Sequence, residues 1–331
     1  EIVPTAGSLE TMALIQAGGA DAGFILNAAN FEADDSGLIA LAGVAHVPIW
    51  VFYRSELETD GPLGELTDLR GLRVSLGEPA SGTHALSRLL LTISQIAEDE
   101  FTVIEEPPRR SAEMLLNGQI DAMFLASGMN AESLLELLLA PDVEILNFRL
   151  AETYTRLIPF LHEVTLLEGA LNVAALDPPE DKHLLTDANL LIAGEDLHPD
   201  LQLLLLQAAE DAQTKVFDPF PSDENFPSTN NLTLPVSETT QRFLEEGRTA
   251  LQRYLPFWIA SPLERFYLLV LPFLLLLYPL VRSTPSAYGF FMRRRVYVWY
   301  NRIREVEVQM EGYSIAELGA QIAELEALQQ V

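Results

Sequence analysis

The residues best suited to hold a ligand lie in LRGLRVSLGEPASGTHALSRLLL, residues 69–91. The apolar run Arg73 to Leu76 predicts a short strand, and Gly77, Ser81, Gly82 and Thr83 fill the loop ahead of an apolar-periodic helix. Unpaired backbone N–H groups at a helix start, the positive end of its dipole and two hydroxyls then converge on one place. That is the chemistry that seats a carboxylate or similar anion. Glycine, serine and threonine also cap ordinary strand-to-helix loops, so this segment alone leaves both readings open. A second turn of the same composition, Thr5, Gly7 and Ser8, stands ahead of another helix, after a strand expected before Thr5. Placed at the carboxyl ends of parallel strands, the two turns face each other across a cleft, where α/β sheets bind ligands.

Covalent and metal chemistry find less support. Ser81 and His84, at i and i+3 of a helix start, read as a cap and a solvated residue rather than a catalytic pair. His46, His84, His162, His183 and His198 lack metal-ligand spacing. No cysteine occurs, which excludes disulfides, thiolate sites and cysteine nucleophiles. Neither an enzyme nor a cofactor is expected. Arg73, Arg88, Arg109, Arg110, Arg149 and Arg156 each offer a carboxylate clamp, and spacing does not choose among them.

The elements that position these turns repeat. LIQAGGADAGF (14–24) and MLLNGQIDAMF (114–124) share Gly18/Gly118, Asp21/Asp121, Ala22/Ala122 and Phe24/Phe124 at an offset of 100 residues. Each copy predicts a helix ended by a glycine, a tight connection and a buried strand, hence two lobes with one βαβ unit each. The second copy continues into Ala126, Ser127 and Gly128, again small and polar after a strand. Between the copies HVPIWVFYR (46–54) predicts a hinge strand, with Ile49, Val51 and Tyr53 alternating against Trp50 and Phe52. Further strands are expected at 143–148 and within 188–197, helices at 201–213 and 236–255, and a proline-rich loop at 217–231.

The chain has 331 residues with 48 acidic and 20 basic side chains, a net charge of −28. Residues 261–331 carry seven of each sign, so the whole imbalance precedes them. A strongly acidic body disfavours nucleic acid as a partner, and the presence of only two lysines, Lys182 and Lys215, suits salty surroundings. No signal peptide is visible at Glu1, which reads as a processed form or a fragment. Phe266 to Val281 holds sixteen residues without a charge, bracketed by Arg265 and Arg282. At 1.5 Å per residue that is about 24 Å, and arginine snorkelling extends it toward a ~30 Å hydrocarbon core. Arg293, Arg294, Arg295, Arg302 and Arg304 with Tyr297, Trp299 and Tyr300 follow, which predicts a cytoplasmic tail and an acidic body outside. Ser314 and Glu317 form a capping box for an amphipathic tail helix with Ile315, Leu318, Ile322 and Leu325 on one stripe.

Thr5-Ala-Gly-Ser8 with Gly-Ala-Asp21-Ala, then LRGLRVSLGEPASGTHAL and NGQIDAMFLASG, resembles the TAXI-type solute receptors of TRAP transporters over residues 1 to about 255. YLPFW (254–258) and RRRVYVWY (293–300) resemble a membrane-anchored subgroup. The resemblance implies an α/β, two-lobed type 2 periplasmic-binding-protein fold with a cleft between lobes joined by crossover strands. It implies lobe 1 at 1–51, lobe 2 at 52–172 and a return to lobe 1 at 173–256. One transmembrane helix (264–282) and a cytoplasmic basic, aromatic and amphipathic tail (283–331) then follow. The implied ligand is a small organic anion, an amino acid or carboxylate, delivered to a TRAP-type permease. The site it implies comprises Thr5, Gly7, Ser8, Gly77, Ser81, Gly82 and Thr83; Ser127 joins them from the second repeat. The family carries one more strand and a glycine-containing turn ahead of Thr5, so a fragment start is expected. The alternative is a membrane-anchored ligand sensor that signals through a separate partner.

Overall fold

A computed structural model describes residues 2–59, 61–213 and 226–247, together with isolated positions between 272 and 327. The chain forms two compact units, Glu1–Thr249 and Ala250–Val331. In the first, the elements run α1 (Ser8–Gln16), β1 (Ala22–Leu26), β2 (Leu38–Arg54), β3 (Arg73–Ser75), α2 (Gly82–Ile93), β4 (Thr102–Ile104), α3 (Pro108–Leu116) and β5 (Ala122–Ala126). They continue with α4 (Glu132–Leu138), β6 (Val143–Ile145), α5 (Ala151–Leu157), β7 (His162–Leu166), β8 (Lys182–Gly194), α6 (Pro199–Gln213) and α7 (Glu238–Glu246).

Eight strands form one mixed sheet in the order β1-β8-β2-β5-β3-β4, with β6 beside β2 and β7 beside β8. The long strands β2 and β8 are antiparallel and tie its two halves together. The early part of β2 and the late part of β8 sit with β1 and α1, while their other ends meet β5, β6 and β7. The alternation read in 46–54 is realised. Ile49, Val51 and Tyr53 enter one apolar cluster with Leu86 and Leu90 of α2, and Trp50 and Phe52 enter another with Leu115 of α3 and Leu137 of α4. A strand buried on both faces reads as a continuous apolar run, as this one does.

Both repeats form the same corner. α1 and α3 each end one residue before an αR-like cap and a left-handed glycine, Gly18 at φ 70 and Gly118 at φ 68, where a Cβ is disfavoured. Gly18 N–H donates to Ile15 O at 2.9 Å and Gly118 N–H to Leu115 O at 3.0 Å. The copies differ in what they bury. Phe124 is 1% exposed, whereas Phe24 is 57% exposed. Asp121 takes hydrogen bonds from the Arg73 backbone N–H at 2.8 Å, Nε at 3.0 Å and Nη2 at 2.6 Å, and this guanidinium holds its carboxyl below the usual range. Asp21 makes no hydrogen bond or ion pair among the described residues. Asp121→Ala is therefore expected to cost about 1–3 kcal/mol in urea denaturation, against less than about 0.5 kcal/mol for Asp21→Ala. Equal losses would contradict this account.

Three sequence expectations change. Ile2 to Pro4 form no strand, since no neighbouring strand pairs with them among the described residues, and Ile2 is exposed. The helix expected over 236–255 is described as α7, which stops at Gly247 with φ 70; residues 248–255 lie outside the described set. His84 is buried rather than solvated, because it is enclosed by residues distant in sequence. Of the proline-rich loop, 217–225 also lie outside the described residues, as do most of the apolar stretch 264–282 and the capping box at Ser314. Among the described residues no helix is long and apolar enough to cross a membrane.

Candidate functional site

The loop behind β3 and the turn ahead of α1 meet directly. Leu9 N–H donates to Ala80 O at 3.1 Å, so the first turn of one helix is tied to the loop that opens the other. Gly7 and Gly82 permit the approach: a Cβ on Gly7 would lie 2.5 Å from Ala80 O, and one on Gly82 would lie 2.9 Å from Ser8 Oγ. A second contact joins the same halves nearby, where Phe31 stacks on Phe160 at 5.4 Å and His84 Nδ1 lies 3.5 Å from Glu32.

Around this junction runs a groove of about 380 Å³ lined by Thr5, Gly7, Ser8, Ser81, Gly82, Thr83 and Ser127. Gly77, the remaining residue of the sequence-derived set, stands behind it, packed toward Thr83 and Ser81. No charged side chain lines the groove among the described residues, so none of the six candidate arginines does. Arg73 is committed to Asp121, Arg88 to Glu98 and Glu32, and Arg149 to Glu65.

The hydroxyls have structural duties. Ser81 caps α2 by accepting His84 N–H at 3.2 Å, Ser8 Oγ accepts Leu26 N–H at 3.1 Å, and Thr83 Oγ1 accepts Ala126 N–H at 3.1 Å. Each turn is thereby pinned to the end of the strand beside it. None of these three hydroxyls donates to an acceptor among the described residues, and neither do the backbone N–H groups of Ser8, Gly82 and Thr83. With one lone pair of each hydroxyl engaged and its proton free, the junction offers hydrogen-bond donation backed by two helix N-termini, an environment that favours negative charge. Thr11 Oγ1 donates to Gly7 O at 3.0 Å, so in the 2.8 Å pair of Thr5 and Thr11 the Thr5 hydroxyl is the donor.

Sequence reasoning passed over Thr11, Phe24, Val47 and Asn189, which also line the groove. Asn189 interrupts the apolar run of β8, a signal the sequence did carry, and its side chain has no hydrogen-bond partner among the described residues. Two positions away, Asp187 is fully buried at the level where β8 pairs with Val47. Its carboxylate accepts Ala28 N–H at 2.7 Å and Ala188 N–H at 2.8 Å, yet burial pushes the carboxyl up to about 7. Asp187 thus braces the crossing strands behind the groove.

Among solved structures the chain is similar to the periplasmic aliphatic sulphonate binding protein SsuA from Escherichia coli, at 13% identity and TM-score 0.39, over 63% of this chain and 60% of that one. It is similar to the alkanesulfonate-binding protein SsuA from Xanthomonas axonopodis pv. citri bound to MOPS, at 14% identity and TM-score 0.37, over 63% and 61%. It is also similar to an amino acid ABC transporter substrate-binding protein, AbpA from Streptococcus pneumoniae bound to L-arginine, at 14% identity and TM-score 0.40, over 65% and 70%. The chain spans about three fifths of the length of the two sulfonate-binding proteins. The model of the NMT1-like family matches residues 1–169, about half of the sequence that carries both turns and both repeats. The chain belongs to the NMT1-like family.

Proposed function

We propose that this chain is a solute receptor of the TAXI type, which captures a small organic anion, an amino acid or carboxylate, between its two halves and hands it to a TRAP-type permease. The observation that carries the reading is the junction of two helix N-termini at which the Ser8, Ser81 and Thr83 hydroxyl protons and the backbone N–H groups of Ser8, Gly82 and Thr83 are free to donate. A ligand touching both turns favours the arrangement in which they meet, by its difference in affinity for the closed and open states. No covalent step is involved. The acidic body is extracytoplasmic and the segment 264–282 anchors it, a placement supported by the sixteen-residue uncharged run and the arginine- and aromatic-rich sequence behind it. Anchoring holds the receptor near its permease and raises its effective concentration there.

Thermal unfolding of the full chain with L-glutamate, L-arginine, succinate, acetate or glucose tests the proposal. At a hundredfold excess over Kd a bound ligand adds about 2.7 kcal/mol, which raises Tm by roughly 5–10 °C for a body of this size. At least one carboxylate is expected to produce such a rise and glucose none, with the response lost in Ser81→Leu. Stabilisation by glucose alone, or an unchanged carboxylate response in Ser81→Leu, would overturn the assignment.

A further inference from the structure

A second cavity, of about 580 Å³, shares no lining residue with the groove. It lies among α4, the turn that follows it, strand β6 and the segment ahead of β8. Phe52, Leu135, Leu138 and Leu171 give it an apolar wall, and Leu139, 83% exposed, extends that wall to the surface. Glu144, Asp177 and Lys182 line it as well, close enough to feel one another's charge. Lys182 is buried, and its Nζ is engaged by Glu180 at 3.1 Å. The Glu144 side chain makes neither a hydrogen bond nor an ion pair among the described residues. Burial raises its carboxyl above the usual range, Glu58 and Asp177 push the same way, and Lys182 opposes them. Glu58 itself is occupied by the Tyr53 hydroxyl at 2.7 Å.

Among the residues lining the cavity Lys182 is the one cation against Glu144 and Asp177, and it is already paired with Glu180, so the site carries uncompensated negative charge beside an apolar wall, which a bound cation would offset. We propose that this cavity is a binding site for a small amphipathic cation, an ammonium on an alkyl or aryl body. The ammonium sits on Glu144 and Asp177, and the body lies against Leu135, Leu138, Leu171 and Phe52. The volume falls within the range of small-molecule sites, and such sites combine apolar walls with a few convergent polar groups. An anion is disfavoured, because the one lysine is already paired and the surrounding carboxylates, Glu58, Asp177 and Glu180, are all of one sign. The site goes beyond the solute groove and does not depend on it.

Calorimetric titration of the full chain with n-hexylammonium, phenethylammonium, hexanoate and 1-hexanol is the test. Both amines are expected to bind at least tenfold more tightly than hexanoate or hexanol. Glu144→Gln should weaken the amines at least tenfold while leaving hexanol unchanged, and Ser81→Leu in the groove should change neither. Should Glu144→Gln not fold, Asp177→Asn serves with the same expected direction. Absence of amine binding, equal affinity for hexylammonium and hexanol, or amine binding that survives the carboxylate substitution would overturn the proposal. Loss of amine binding in Ser81→Leu would do so too, by moving the site to the groove.

Discussion

Gly82→Val is expected to abolish solute capture and to destabilise the body by about 1–3 kcal/mol, the usual cost of forcing methyl groups into a packed contact. A Cβ at this position would fall 2.5 Å from Leu26 Cβ and 2.9 Å from Ser8 Oγ, so the two turns have to separate. Separation breaks the Leu9 to Ala80 hydrogen bond and spreads the donors of the two helix starts beyond the reach of one small anion. Gly128 provides the control. It lines the same groove, but a Cβ there meets nothing within 4 Å, so Gly128→Ala should leave Tm within about a degree of the parent. Urea denaturation measures the destabilisation, and the carboxylate-induced rise in Tm measures the loss of capture. A Gly82→Val protein that keeps both parental stability and parental response would sink the idea that contact between the turns forms the site.

Asp187→Ala is expected to cost about 2–6 kcal/mol, since the backbone N–H groups of Ala28 and Ala188 would lose their acceptor in the interior and each such loss costs about 1–3 kcal/mol. The parent should also carry a pH signature. Unfolded, this carboxyl titrates at 3.8; folded, it holds its proton up to about 7. Between those values the folded state binds the extra proton, so this group's contribution is complete below about pH 4 and is lost as pH rises through 7. The slope is at most about 1.4 kcal/mol per pH unit. Asp121 acts in the opposite sense, because its lowered carboxyl contributes above the unfolded value and is lost only as pH falls below it. Asp187→Asn removes the titrating proton and should flatten urea-denaturation stability between pH 5 and 7. An identical slope in the parent and in Asp187→Asn would show that another group governs that window.

Much of the local structure was legible in the chain itself. The 100-residue echo predicted two helix-glycine-strand corners, and both form, because a left-handed glycine after a helix depends only on residues within one turn. Ser81 was legible as a cap, and the alternation of 46–54 gave the two faces of β2, since capping and period-two burial are equally local. His84 misled for the same reason. It reads as solvated at a helix start, yet it lies between Glu32 and Glu105, brought to it from two other elements.

The chain alone showed the two helix-glycine-strand corners, the two faces of β2 and two turns rich in donors, since each depends on residues only a few positions apart. Long-range packing brought the turns at residues 5–8 and 77–83 into contact and gave the Ser8 and Thr83 hydroxyls the N–H groups of β1 and β5 to accept. It also decided that Phe24 lines a groove while its counterpart Phe124 is buried. The physical reason is the sheet order. Antiparallel pairing of β2 with β8, and of β1 with β8, joins segments more than 130 residues apart. Contacts of that range follow from the register of the whole sheet, which no short window of residues encodes.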